Sequence, residues 1–162
     1  MLKAFKDLKP EEYQLLIDAV PMIAILIAGA DNDIDLKERQ WAEKIVKIRS
    51  YSNQFDLKPL YKEVDEQFSM LFDKMIEELP KDADNRSRIL SSKLAGLNDV
   101  FLKLNMRTSN QLYTSYIAYA EQIARASGGI LRMLAVSKEE CIFIGLPMID
   151  PIFYNDIEDE EE

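Results

Sequence analysis

Histidine is absent from the 162-residue chain, and cysteine occurs once, as Cys141. Without His there is no Ser–His–Asp or Cys–His nucleophile pair, no imidazole proton shuttle and no His-bound zinc. A lone Cys forms neither an intramolecular disulfide nor a thiolate metal cluster. Glycine and proline are sparse, 5 and 6 residues, which argues against a sandwich or barrel that must turn every ten residues or so. A long apolar run is also missing. The longest, Val20 to Ala30, has 11 residues, where a bilayer span needs about 20. The N-terminal residues Met1 to Phe5 lack the apolar run of a secretory signal. These absences remove most familiar enzyme chemistry, leave carboxylates as the main reactive groups and point to a cytoplasmic protein without a transmembrane segment.

What is present is acid. Twenty Lys and Arg face 29 Asp and Glu, for a net charge of −9. The last eight residues, Asn155 to Glu162, hold six of those acids and no base, so the body carries 23 acids against 20 bases. Residues 1–154 therefore read as one domain of a size that buries a single core, and 155–162 as a solvated, disordered acidic tail. A chain of this charge repels phosphate backbones, which excludes non-specific nucleic-acid binding.

The apolar spacing is helical throughout, and the fold class is all-α, a compact bundle of about six to seven helices. Pro10-Glu11-Glu12 opens the first, followed by Leu15, Leu16, Ala19, Val20, Ile23, Ile27 and Ala30 at helical spacing. Pro21 should kink or split it. Asp35 and Glu38 form a capping box for a helix over about Leu36 to Arg49, with Trp41, Ile45 and Ile48 inward. A long helix over about Lys58 to Leu79 follows, with Leu60, Val64, Phe68, Leu71, Met75 and Leu79 inward. Asp82 caps a fourth helix, expected to run to about Asn105 on Ile89, Leu90, Leu94, Leu97, Phe101 and Leu104. Thr108 with Gln111 reads as a second capping box, opening a helix that ends at Ser127-Gly128-Gly129. Ser137 with Glu140 reads as a third, opening a short helix to Leu146 that Pro147 closes.

The segment Ile27 to Ile34 is echoed by Ile123 to Ile130, each copy leading to a capping box, so a helix–loop–helix unit is expected twice about a pseudo-dyad. The first copy holds the one constellation with chemistry in it. Asp31, Asp33, Asp35 and Glu38 place four carboxylates in eight residues at a helix junction. Hard cations of the Ca²⁺ or Mg²⁺ class take oxygen ligands in such loops, whereas acids gathered without a cation repel by roughly 1 kcal/mol per close pair in water. Leu36 and Ala42 stand where an EF-hand loop needs its Gly and its bidentate Glu, which excludes that motif. The plainer reading also stands: Asp35 and Glu38 as caps, Asp31 and Asp33 as turn residues.

The run Ile27 to Arg39 resembles the signature of the tellurite-resistance TerB-like family: an apolar helix, Ala-Asp-Gly, an apolar residue, and a Glu opening the next helix. Asn32-Asp33 stands here where the Gly is usual. The resemblance implies a compact all-helical bundle of two related halves that binds divalent metal through this loop, in a stress-response setting. Asp31 and Glu38 match the pattern directly, and Asp33 and Asp35 follow by spacing. Ser127 and Gly129 replace the acids in the second copy, where Glu139 or Glu140 are the remaining candidates for a second site. Tellurite itself has no physical support in these residues.

Elsewhere the residues read as packing. Tyr113, Tyr116 and Tyr119 crowd one helix, and Cys141 lies beside Ile142 and Phe143 as a small hydrophobe. Leu2, Phe5 and Leu8 alternate with Lys3, Lys6 and Lys9 in the manner of a membrane-surface contact too short to anchor alone. The leading function is a non-enzymatic module that binds a divalent cation and passes the change to an unidentified protein partner. The alternative is a metal-free interaction bundle whose acidic loop and tail recognise a basic partner. A metal-dependent hydrolase ranks last, since nothing beside the cluster supplies a general base.

Overall fold

A computed structural model describes residues 3–30, 34–52, 56–126 and 143–154. Among them all regular structure is helical: α1 (Pro10–Ala28), α2 (Leu36–Tyr51), α3 (Lys58–Glu78), α4 (Ala83–Ala95), the six-residue α5 (Leu97–Leu102) and α6 (Met106–Ala126), after a 3-10 turn at Lys3–Phe5. The expected all-α bundle is thus present, with five long helices and one short one among the described residues. None of the helices described is long and apolar enough to cross a membrane. Asp31, Asp33, Glu139, Glu140, Cys141, the second copy of the echo beyond Ala126 and the acidic tail lie outside the described residues.

Helix α1 is the axis of the bundle and packs against all five others. From Leu16 to Ala28 every residue except Asp18 is buried, so the helix is apolar all round, as a central helix must be. Pro21 neither breaks nor splits it: α1 runs unbroken from Pro10 to Ala28. The cost of a missing N–H inside a helix is about 3 kcal/mol. Fully burying each of several Ile and Leu side chains returns roughly 1.5–3 kcal/mol apiece, so tertiary packing overrides the local preference.

Several expectations are corrected by the packing. Trp41 and Ile48, expected on the inward stripe of α2, are 39% and 44% exposed. The buried positions of α2 are Glu38, Ala42, Ile45, Val46 and Ser50, a stripe rotated from the expected one because α3 and α6 both pack on this helix. Ile89 is likewise turned outward. The expected helix from Asp82 to Asn105 is two, divided at Gly96. There the backbone keeps helical angles, φ −60° and ψ −21°, while its N–H bonds Lys93. A Cβ at Gly96 would stand 3.3 Å from Leu15 Cδ2 of α1, so glycine admits the close approach of the Leu15 side chain. Asn105, not Thr108, caps α6, its side-chain oxygen accepting the Thr108 N–H at 2.8 Å. Phe5 is fully buried, its ring centroid 5.7 Å from that of Tyr13. The N-terminal turn therefore closes the bundle and offers Phe5 to no membrane.

Polar ties knit the frame. Tyr116 and Tyr119 are fully buried and donate to the carbonyls of Leu16 (2.8 Å) and Ala42 (3.2 Å), and burial pushes both phenols well above their ordinary value. Arg49, near the end of α2, donates to Tyr61 Oη at 2.8 Å and to the Ser115 carbonyl at 3.0 Å. Three helices meet at that guanidinium.

Candidate functional site

The acidic junction lies between the last turn of α1 and the first of α2. The end of α1 exposes carbonyls that carry the negative end of its dipole. Gly29 closes the helix, its N–H bonding Ile25 O at 2.8 Å. Arg86, 6% exposed, reaches across from α4 and donates Nη2–H to the Gly29 carbonyl at 2.5 Å. A guanidinium at a helix C-terminus is favourable for the same dipole reason. It also fixes residue 29 as glycine, because a Cβ there would lie 2.6 Å from Arg86 Nη2 and 2.7 Å from the Ile25 carbonyl.

At the other end of the junction the capping box read from the sequence is formed. Asp35 Oδ1 accepts the Lys37 N–H at 3.1 Å, and Glu38 Oε2 accepts the Asp35 N–H at 3.2 Å. Asp35 is exposed, whereas Glu38 is only 3% exposed. Of the four predicted ligands, Asp35 and Glu38 are thus brought together by helix-start chemistry. Asp31 and Asp33 are outside the described residues, and no group of three metal-ligating side chains occurs among those described.

A cleft of about 400 Å³ opens beside Asp35, with Arg39, Phe72, Lys81 and Arg86 among its walls. Arg39 is held on every side. Its guanidinium lies 4.7 Å from the Phe72 ring centroid, 2.6 Å from Asp73 Oδ1 and 3.3 Å from Glu43 Oε1. The Arg39 guanidinium in turn keeps the Asp73 carboxyl below its ordinary range, chiefly by hydrogen bonding. Sequence reasoning passed over both arginines. The spacing of Arg39 and Glu43, four apart on a helix, was a readable signal; the 57-residue reach of Arg86 to Gly29 had none.

Comparison of the chain with protein-family models, with curated proteins and with solved structures finds no match.

Proposed function

We propose that this chain is a cytoplasmic, non-enzymatic, TerB-like helical module. It holds a divalent cation of the Ca²⁺ or Mg²⁺ class between α1 and α2, with Asp31, Asp33, Asp35 and Glu38 as oxygen donors, in a stress-response role of the kind the resemblance implies. The observation that supports this is the setting of the acids. Four carboxylates follow within ten residues of a helix C-terminus, and one of them, Glu38, is buried. Acids just beyond the last turn of α1 oppose its dipole by about 0.3–1 kcal/mol each and so favour positive charge nearby, whereas Glu38, buried at the start of α2, accepts the Asp35 N–H. Arg86 brings one such charge to the Gly29 carbonyl; a dication adds two more. A cation in the loop would join the end of the central helix to the start of α2, and so couple occupancy to the packing of the bundle.

Trp41, the only tryptophan, starts one helical turn beyond Glu38 and sensitises a lanthanide held in the loop. On titration with Tb³⁺ under Trp41 excitation we expect saturable emission in the micromolar range. That emission should be displaced by Ca²⁺ or Mg²⁺ and lost in Asp33→Ala. The displacing ion should also stabilise the fold, by about 2.7 kcal/mol at a hundredfold excess over Kd. Emission that is absent, or unchanged in Asp33→Ala, overturns the reading. Asp35 and Glu38 are then helix caps only, and the metal-free interaction bundle takes its place.

A further inference from the structure

Away from the junction, and using none of its residues, the molecule carries a second surface that neither packing nor the cation reading accounts for. A groove of about 520 Å³ lies between α5, the start of α6 and the segment 150–153. Its rim carries three large apolar side chains held out to solvent: Leu102 at 84% exposed, Met106 at 57% and Phe153 at 85%. Single exposed hydrophobics are ordinary, but several around one concavity mark an interaction surface. The wall bearing Phe153 is a built one. Asn98 donates Nδ2–H to the Met148 carbonyl at 3.0 Å and accepts the Asp150 N–H at 2.8 Å, and Asn110 donates to the Ile152 carbonyl at 2.9 Å.

Charge identifies the occupant. Among the described residues, the only ionisable ones lining the groove are Asp99 and Asp150. Of the bases next to the rim anchors in sequence, Lys103 is committed to Glu12 of α1, and Arg107, which follows Met106, is not among the residues that line the groove. Two residues after Phe153 begins the stretch Asn155 to Glu162, with six acids and no base. An apolar groove edged by acid complements an apolar stripe edged by base. We propose that this groove docks a basic amphipathic helix of a partner protein, its apolar anchors seated between Leu102, Met106 and Phe153. Its Lys or Arg flanks face Asp99 and Asp150. This is the helix-in-groove mode of recognition, in which apolar anchors give affinity and charges give orientation and rate.

The test uses the full chain and two labelled 14-residue helical probes, one of Leu and Lys and one of Leu and Glu in the same pattern, read by fluorescence anisotropy. The wild type is expected to bind the Leu/Lys probe and not the Leu/Glu one. Leu102→Asp and Phe153→Asp, both at positions facing solvent and checked for unchanged circular dichroism, should each weaken binding about tenfold or more. The sign is diagnostic. Each variant adds a negative charge, so attraction by charge alone tightens binding, while loss of an apolar anchor weakens it. The proposal is overturned by a wild type that binds neither probe, by equal binding of both, or by variants that bind as well as the wild type. A concentration-dependent dimer that Leu102→Asp dissociates overturns it too, since a second copy then owns the groove.

Discussion

At position 29 the chain has room for a hydrogen and nothing larger. The obstacle is not backbone angle but the approach of Arg86 and the Ile25 carbonyl, 2.6 Å and 2.7 Å from where a Cβ would stand. Gly29→Ala should therefore destabilise the fold by about 1–3 kcal/mol, the usual cost of overpacking, measured by urea unfolding. The loss should shrink in an Arg86→Ala background, because one of the two crowding groups is then gone. Asp73 supplies a second residue-level expectation. Its carboxyl is depressed when folded by the Arg39 guanidinium, so the pair favours the folded chain above the ordinary carboxylate range. The contribution is lost as pH falls through the depressed folded value. In Arg39→Gln, the Asp73 titration followed by carboxyl NMR should move up to the ordinary range.

Between elements, the C-terminal segment is held by side-chain amides rather than by a ladder of backbone bonds. Leu146 within it sits at φ 46° yet is fully buried. The left-handed region costs a non-glycine residue about 1–2 kcal/mol, which burial of a leucine offsets. Asn98→Ala removes two of the bonds that hold the segment, each worth about 0.5–1.5 kcal/mol. Amide exchange at Leu146 and Asp150 should accelerate while the centre of α1 stays protected. Elements such as α2 and α3 were legible because their signals are local: the Asp35–Glu38 box and the Leu60, Val64, Phe68 spacing fix start and face within a few residues. The division at Gly96 was not, since the apolar spacing continues across it and the neighbour that crowds this position, Leu15, lies on another helix. Trp41 was misplaced for a similar reason. Its helix is amphipathic over a wide arc, and only the positions of α3 and α6 select the buried part. At the junction, the capping half of the site could be read from residues three apart, while Arg86, Arg39 and the walls of the cleft assemble from segments tens of residues distant.

Across the whole molecule, the axial place of α1 has a consequence in time as well as space. The helix is synthesised before the other five described, and its buried face is covered in large part by α6, with Tyr116 reaching back 100 residues to the Leu16 carbonyl. Contacts of that separation form late, after the loop entropy between them has been overcome. Throughout elongation the most apolar of the described helices therefore leaves the ribosome before α6, one of its two main covers, and α2 and α3 are the first elements able to shield it. The order of helices along the chain makes those two the provisional shelter of the nascent molecule and α6 the element that completes it.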